Sequence, residues 1–237
     1  LLDILRERGQ RHEHSYRESL IDNGLNVVVI PEFDINDQAL EATREAMESG
    51  ADVIAQAAPF GSPWAGRADF LRKVNQPSQL GEWRYEVYDT KLSRETKAGT
   101  LLQLCLYADL LTQLQGEPPQ YIHVVVPWSD FEPQSYRYPD FAAYFRYIKT
   151  QAEIAITAHS NGTSYPDPVP HCDVCQWSAE CDKQRRDDDH LSFVAGISAQ
   201  QIKECNEQGI ETLTELAGQT LPLAWSPARG AAASYQR

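Results

Sequence analysis

Two side chains that can activate water lie close together near the middle of the chain. Asp89 and Lys91 are separated by one residue within a run of strand-forming residues, and alternate residues of a strand point to the same face. A carboxylate binds Mg²⁺ or Mn²⁺ through its oxygens, while a neighbouring ammonium orients and polarises an attacking water. By itself the pair is a weak signal, because such pairs are usually surface ion pairs.

A second carboxylate, Asp69, lies on the preceding predicted strand. We predict strands over residues 65–74 and 83–92, with a loop of hairpin composition between them. An antiparallel pairing of these strands would bring Asp69 within one metal's reach of Asp89. The two strands therefore predict a metal site made of two carboxylates beside a lysine.

The elements around this pair alternate between helical and extended periodicity. Helices are predicted over residues 1–23, 37–49 and 99–114, and from the aromatic-rich residues 136–147 to about residue 159. Further strands are predicted over residues 26–30, 52–58 and 121–128. The pattern is one of mixed α and β structure.

Composition limits the class of protein. The 237 residues are 42% hydrophobic, which is enough for a full core and leaves room for an appended module. A net charge of -13 argues against a surface that collects nucleic acid by general basicity, so any DNA contact must be locally basic.

No apolar stretch approaches the roughly 20 residues of a membrane span, and the amino end lacks the pattern of a secretory signal. We expect a cytoplasmic protein, since three of the five cysteines are packed into ten residues, as in a metal site of a reducing compartment.

Four motifs in order resemble those of the RecB-like nucleases of the PD-(D/E)XK superfamily. Residues 66–69 read Gly-Arg-Ala-Asp, residues 88–91 read Tyr-Asp-Thr-Lys, and Gln103 precedes Tyr107 by one helical turn. They resemble the series D, (D/E)-x-K and Q-x-x-x-Y, while residues 9–13 resemble the upstream helix whose histidine binds metal. The resemblance covers residues 9–181 and implies an α/β fold with a restriction-endonuclease-like core, in which helices flank a mixed central sheet.

The resemblance also implies roles for individual residues. The expected ligands of Mg²⁺ or Mn²⁺ are His12, Asp69, Asp89 and the carbonyl of Thr90. Lys91 would hold the nucleophilic water, and Gln103 and Tyr107, on one helix face, would orient the lysine or the DNA backbone. Only one of His12 and His14 can share the face that meets the metal, and the spacing from Gly9 favours His12.

A cysteine cluster follows the predicted core. Cys172, Cys175 and Cys181 have the spacing C-x2-C-x5-C, which suits Zn²⁺ or an iron–sulfur cluster. In several RecB-like nucleases three such cysteines join one far upstream around a [4Fe–4S] cluster, which is our first expectation. This chain has no cysteine before Cys105 and does not begin with Met, so we expect a fragment whose fourth ligand lies upstream. Otherwise His171 or Cys205 would complete a site, with zinc as the alternative metal.

We predict four segments. They are a nuclease core at residues 1–165, a metal-binding segment at 166–186 that forms a Cys-rich loop, a small helical module at 190–220 and a flexible tail at 221–237. The helical module resembles a helix-hairpin-helix element, which presents backbone N–H groups to phosphate. Its acidic composition fits protein docking equally well, and both alternatives stay open.

The function expected from these motifs is metal-dependent hydrolysis of DNA phosphodiester bonds. The resemblance implies action on single strands or DNA ends during repair or recombination, with a helicase or another repair protein as partner. One alternative is a catalytically silent nuclease fold that binds DNA or a helicase and uses its cluster structurally; intact Asp69, Asp89 and Lys91 argue against it. Another is a zinc-binding interaction module, which leaves the four ordered motifs unexplained.

Overall fold

The structure is a computed structural model that describes residues 2–31, 34–159, 164–223 and 225. The chain forms two compact units, residues 1–157 and 158–237. Within the described residues, no helix has the length and apolar character required to cross a membrane.

The elements up to residue 159 follow the predicted alternation of helices and strands. In chain order they are α1 (Leu2–Asp22), β1 (Val27–Val29), α2 (Asp37–Glu48), β2 (Val53–Ala57), β3 (Phe60–Gly61), β4 (Trp64–Ala65), β5 (Ala68–Val74), β6 (Arg84–Thr90), α3 (Ala98–Gln115), β7 (Tyr121–Val125), β8 (Gln134–Arg137) and α4 (Tyr138–His159). Local signals set the ends of several helices. The side chain of Asn36 caps α2 by accepting a hydrogen bond from the N–H of Ala39, and Gly116 ends α3 in the left-handed conformation.

Six strands form one mixed sheet in the order β1-β2-β5-β6-β7-β8. The pairs β1–β2 and β6–β7 are parallel, whereas β2–β5, β5–β6 and β7–β8 are antiparallel. The predicted α/β fold with a mixed central sheet flanked by helices is therefore confirmed. The predicted antiparallel pairing of the two acidic strands is also confirmed, with Phe70 opposite Tyr88.

The sheet has a hydrophobic core on each face. Tyr85 and Val87 of β6 are buried with α2 and α3, whereas Tyr88 is buried on the other face with Tyr16 and Leu20 of α1. This alternation along β6 follows from the two-residue period of a strand. Asp89 therefore belongs to the α3 face, at the end of the strand.

Two elements were not predicted. The hairpin of β3 and β4 lies in a cluster of Pro and Gly residues that indicated only a turn. Strand β8 lies just before α4. It was not predicted as a strand because its sequence, Gln-Ser-Tyr-Arg, lacks apolar alternation. It is nevertheless held as an edge strand by antiparallel pairing with β7.

The second unit is built from short helices. These are a 3₁₀ turn at Pro170–Val174, α5 (Ser178–Asp187), a 3₁₀ turn at Leu191–Phe193, α6 (Ala199–Glu207) and α7 (Leu213–Ala217). The two predicted short helices around Gly209 are present, and Gly209 has a φ of 73°. The cysteine segment is more helical than the predicted loop, because Cys181 lies within α5. Most of the predicted tail, residues 224 and 226–237, lies outside the described residues, as do residues 160–163.

Candidate active site

A buried ion pair stands where β6 ends. The Nζ of Lys91 lies 2.7 Å from Oδ2 of Asp89, whose side chain is only 1% exposed. Apart from this ammonium, Asp89 Oδ2 has no polar partner among the described residues. A buried carboxylate oxygen without a hydrogen bond is costly, so this atom is suited to a positively charged ligand.

Asp69 is held beside this pair by the neighbouring strand. Its Oδ2 accepts hydrogen bonds from the backbone N–H of Thr90 at 2.8 Å and from the Thr90 hydroxyl at 2.6 Å. The register that puts Phe70 opposite Tyr88 continues to Asp69 and Asp89, one residue further along each strand. Two carboxylates from adjacent strands therefore meet at one end of the sheet.

The electrostatics of the two carboxylates are unfavourable without a cation. Burial, and then the charge of Asp69, raise the pKa of Asp89 to about 7, although Lys91 opposes the shift. Burial alone would lower the pKa of Lys91, but Asp89 and Asp69 raise it above its ordinary value. Lys91 therefore stays protonated at neutral pH, while Asp89 is balanced between its two protonation states.

Glu13 of α1 belongs to the same electrostatic environment, which the sequence analysis did not recognise. Burial raises the pKa of Glu13, the charge of Asp69 adds to the effect, and Lys91 opposes it. Its Oε1 accepts a hydrogen bond of 2.6 Å from Nε2 of Gln56. Gln56 has a φ of 56° and lies where the register of β2 and β5 skips a residue on each strand. Glu13 directly follows the predicted ligand His12, and that adjacency was the only sequence signal for it.

His12 is buried and points at a backbone carbonyl. Its Nε2 donates a hydrogen bond of 3.0 Å to the carbonyl of Val125, which also accepts one from the backbone N–H of Lys91 at 3.0 Å. The imidazole stacks on the ring of Phe131, with centroids 6.0 Å apart. His14, by contrast, is exposed and accepts a hydrogen bond from Arg17. The carbonyl of Val125 thus links the His12 ring to the backbone of Lys91, and it occupies Nε2 of His12. A metal-binding role for His12 stays a prediction.

Gln103 and Tyr107 of α3 form a hydrogen-bonded pair. Gln103 Nε2 donates to the Tyr107 hydroxyl at 2.8 Å. Burial raises the pKa of Tyr107, Gln103 opposes the shift, and the charges of Asp89 and Asp69 add to it. The ring of Tyr107 also lies against Gly66, where a Cβ would overlap its edge. The predicted Gln and Tyr thus lie on the face of α3 that meets the carboxylates.

The donor set at this end of the sheet fits a divalent cation such as Mg²⁺ or Mn²⁺. Such a cation is usually held by one or two carboxylates and keeps several waters, and Asp69 and Asp89 supply two. In the part of the chain that the structure describes, no three His, Cys, Asp or Glu side chains converge on one point. The fit therefore rests on the two carboxylates, one of which has a buried oxygen without a hydrogen bond.

The cysteine segment does not form a ready metal site. Cys172, Cys175 and Cys181 are half-buried free thiols, and the backbone N–H of Val169 donates to Sγ of Cys172 at 3.4 Å. No three potential ligands converge among the described residues, so the three thiols are not arranged as an assembled metal site. Cys205, considered as a fourth ligand, is buried in the small core of the second unit.

Comparison with known protein families agrees with this geometry. The sequence profile of the PD-(D/E)XK nuclease superfamily matches residues 11–182. The chain therefore belongs to the PD-(D/E)XK nuclease superfamily, whose members are generally nucleases that typically use Mg²⁺ or Mn²⁺. No curated protein sequence matches the chain.

Proposed function

We propose that the chain is a deoxyribonuclease dependent on Mg²⁺ or Mn²⁺ and belongs to the RecB-like branch of its superfamily. It hydrolyses phosphodiester bonds of single strands or DNA ends, in repair or recombination, within the cytoplasm. The observation that carries the proposal is the buried carboxylate of Asp89, which contacts the ammonium of Lys91 and also experiences the charge of Asp69. The second carboxylate disfavours the ionised form of Asp89, and a divalent cation bound beside both carboxylates would offset that repulsion.

The chain's own residues supply binding and orientation. The proposed ligands are Asp69, Asp89, the carbonyl of Thr90 and His12. When bound, the cation supplies Lewis acidity toward the phosphate and the attacking water. Lys91 has a raised pKa, so it acts as a hydrogen-bond donor that holds the water and stabilises negative charge on the phosphate. It does not act as a general base.

Gln103, Tyr107 and Glu13 are proposed as positioning residues. The hydrogen bond from Gln103 fixes the Tyr107 hydroxyl, and the tyrosine interacts electrostatically with Lys91 and both carboxylates. We assign Tyr107 to orient Lys91 or the DNA backbone. Glu13, anchored by Gln56, adds a third acidic group that strengthens the preference for a cation.

The cysteine segment and the helical module extend the proposal. Cys172, Cys175 and Cys181 are proposed to ligate a [4Fe–4S] cluster, with Zn²⁺ as the alternative, and the support for this is their spacing alone. Residues 166–186 and 190–220 would then be modules that serve DNA or a helicase partner. Iron and sulfide analysis of anaerobically purified protein tests the cluster, and zinc without iron would favour the alternative.

A cleavage assay tests the active site. Labelled single-stranded and double-stranded DNA, linear and circular, is incubated with Mg²⁺ or Mn²⁺ and with wild type, Asp89→Ala or Lys91→Ala. Asp140→Ala serves as a control, because Asp140 is an exposed carboxylate paired with Arg137. We expect cutting of linear single strands by wild type and by the control only. Equal cleavage by all four proteins would remove the proposed site, and DNA binding without cutting by wild type would favour a silent scaffold.

A further inference from the structure

A small pocket opens on α1 next to the candidate active site. Its volume is about 360 Å³, near the lower end of the range for ligand pockets. The pocket is lined by Arg8, Arg11, His12, Ser15, Leu92, Pro127 and Phe131. The four residues from α1 follow one another at intervals of three, one and three residues, so they form one stripe along the helix.

The rim of the pocket carries two exposed arginines, Arg8 and Arg11. Arg8 is exposed, and no hydrogen bond or ion pair of its side chain occurs within the described ranges. Arg11 contacts Glu7 at 2.8 Å, but both side chains are about 70% exposed, at 71% and 68%. Such an exposed pair is worth little, so a phosphate can displace it. This is local basicity on a chain whose net charge is -13.

The wall of the pocket is apolar and aromatic. Leu92 and Phe131 are half-buried, and Pro127 is exposed beside them. The imidazole of His12 stacks on Phe131 with an interplanar angle of 15°, which fixes the aromatic wall. A charged rim over an aromatic wall matches a nucleotide unit, which has an anionic phosphate and a base whose π-face stacks on aromatic side chains.

The pocket continues from the active site along the chain. Leu92 directly follows Lys91, and the carbonyl of Val125 accepts hydrogen bonds from both the Lys91 N–H and His12. The pocket therefore adjoins the backbone that carries Lys91. A pocket of about 360 Å³ has room for one nucleotide unit.

We propose that this pocket is a subsite for the nucleotide next to the cut bond, with Arg8 and Arg11 binding its phosphate. Such a subsite would bind one strand of the DNA. This inference rests on the proposed nuclease function, because the subsite is defined by its position next to the bond that the nuclease cuts. The contacts are to the backbone, so they are independent of base sequence.

The test measures binding without cutting. Fluorescent oligothymidylate and oligocytidylate are titrated in EDTA with wild type, with the double variant Arg8→Gln/Arg11→Gln, and with Arg6→Gln. Arg6 is a matched control, because it is an exposed arginine of α1 paired with Asp3 and does not line the pocket. The double variant should bind both probes more weakly. Its plot of log affinity against log salt should be less steep by about 0.7 for each phosphate that the arginines no longer neutralise.

The outcomes separate the subsite from the nuclease function. A double variant with the salt slope and affinity of wild type overturns the subsite, even if wild type cuts DNA. A reduced slope in the double variant, with Arg6→Gln unchanged, supports the subsite even if wild type fails to cut. A weakening confined to one of the two probes would indicate base reading and would overturn a backbone subsite. Because both arginines are exposed, melting temperatures should match that of wild type.

Discussion

Asp69 receives two hydrogen bonds from Thr90, and both end on the same oxygen. The backbone N–H lies 2.8 Å and the hydroxyl 2.6 Å from Oδ2 of Asp69. The bonds join the ends of β5 and β6 and hold the carboxylate in one orientation beside Asp89. Thr90, between the two residues of the D-x-K motif, therefore contributes its side chain to the site as well as its proposed metal-binding carbonyl.

Loss of the Thr90 hydroxyl should weaken activity without unfolding the chain. Thr90→Val keeps the shape and the backbone bond but leaves Asp69 with one hydrogen bond fewer. Removal of a partner that orients a metal ligand typically costs about 10–100-fold in metal affinity or activity. Cleavage measured across a Mg²⁺ titration should show this loss. Thr90→Ser should retain most of the activity, and a valine variant as active as the serine variant would contradict this role.

Neutralising Asp89 should stabilise the protein while removing catalysis. The pKa of Asp89 rises from 3.8 to about 7 on folding, chiefly through burial, so folding favours the protonated form. The free energy of unfolding contributed by this group therefore falls as pH rises from near 4 through about 7, at about 1.4 kcal/mol per unit of pKa shift. In EDTA, Asp89→Asn should melt several degrees above wild type at pH above about 7.

Wild type and Asp89→Asn also test whether a divalent cation binds at Asp89. The difference in melting temperature should vanish below about pH 3, where the Asp89 carboxyl is protonated in both the folded and the unfolded chain. Mg²⁺ at neutral pH should raise the melting temperature of wild type and leave Asp89→Asn unchanged, because only the ionised carboxylate gains a ligand. Equal melting temperatures at every pH would contradict the electrostatic account.

Gly66→Ala should displace Tyr107. A Cβ at Gly66 would overlap the tyrosine ring, and overpacking of this kind costs about 1–3 kcal/mol. Both the melting temperature and the cleavage rate should fall. Gly9→Ala is a matched control, since a Cβ there meets nothing within 4 Å and should stabilise α1 by roughly 0.5–1 kcal/mol. Unchanged cleavage by Gly66→Ala would separate Tyr107 from the reaction.

The five cysteines should fall into two classes of reactivity. Burial raises the pKa of Cys105 to about 12 and also raises that of Cys205, so both should resist iodoacetamide in the folded chain. Cys172, Cys175 and Cys181 are only half-buried and should be alkylated in metal-free protein. Mass spectrometry identifies the modified sites. Rapid alkylation of Cys105 would contradict its burial, whereas protection of the other three until chelation would support a bound metal.

Most of the sheet and its helices could be predicted because their periodicities are local. The apolar spacing of α3 and the run of β7 identify each element without reference to its neighbours. Strand β8 could not be predicted, because four largely polar residues acquire strand geometry only by pairing with β7. The cysteine segment was expected to be a loop, yet Cys181 lies in α5, whose polar sequence has no clear apolar face.

The candidate site also contains residues that could be recognised from the sequence and residues that could not. Asp89 and Lys91 could be recognised together, because a strand places alternate residues on one face whatever lies around it. Glu13 and Gln56 could not, because they are 43 residues apart in sequence and meet through a 2.6 Å hydrogen bond that depends on the packing of α1 against the sheet. The orientation of His12 toward the Val125 carbonyl also depends on that packing.

The sequence by itself determined most of the order of the helices and strands and the D-x-K pair, because backbone periodicity and hydrophobic spacing are properties of neighbouring residues. Only the tertiary structure decided which carboxylates lie close enough to interact electrostatically. Burial and the proximity of Asp69 raise the pKa of Asp89, and neither effect exists in an isolated strand. The pocket between α1 and the residues that follow β6 and β7 is likewise a product of packing, because its walls come from segments about 80 and 120 residues away from α1 in sequence, as the numbers of Leu92 and Phe131 relative to His12 show.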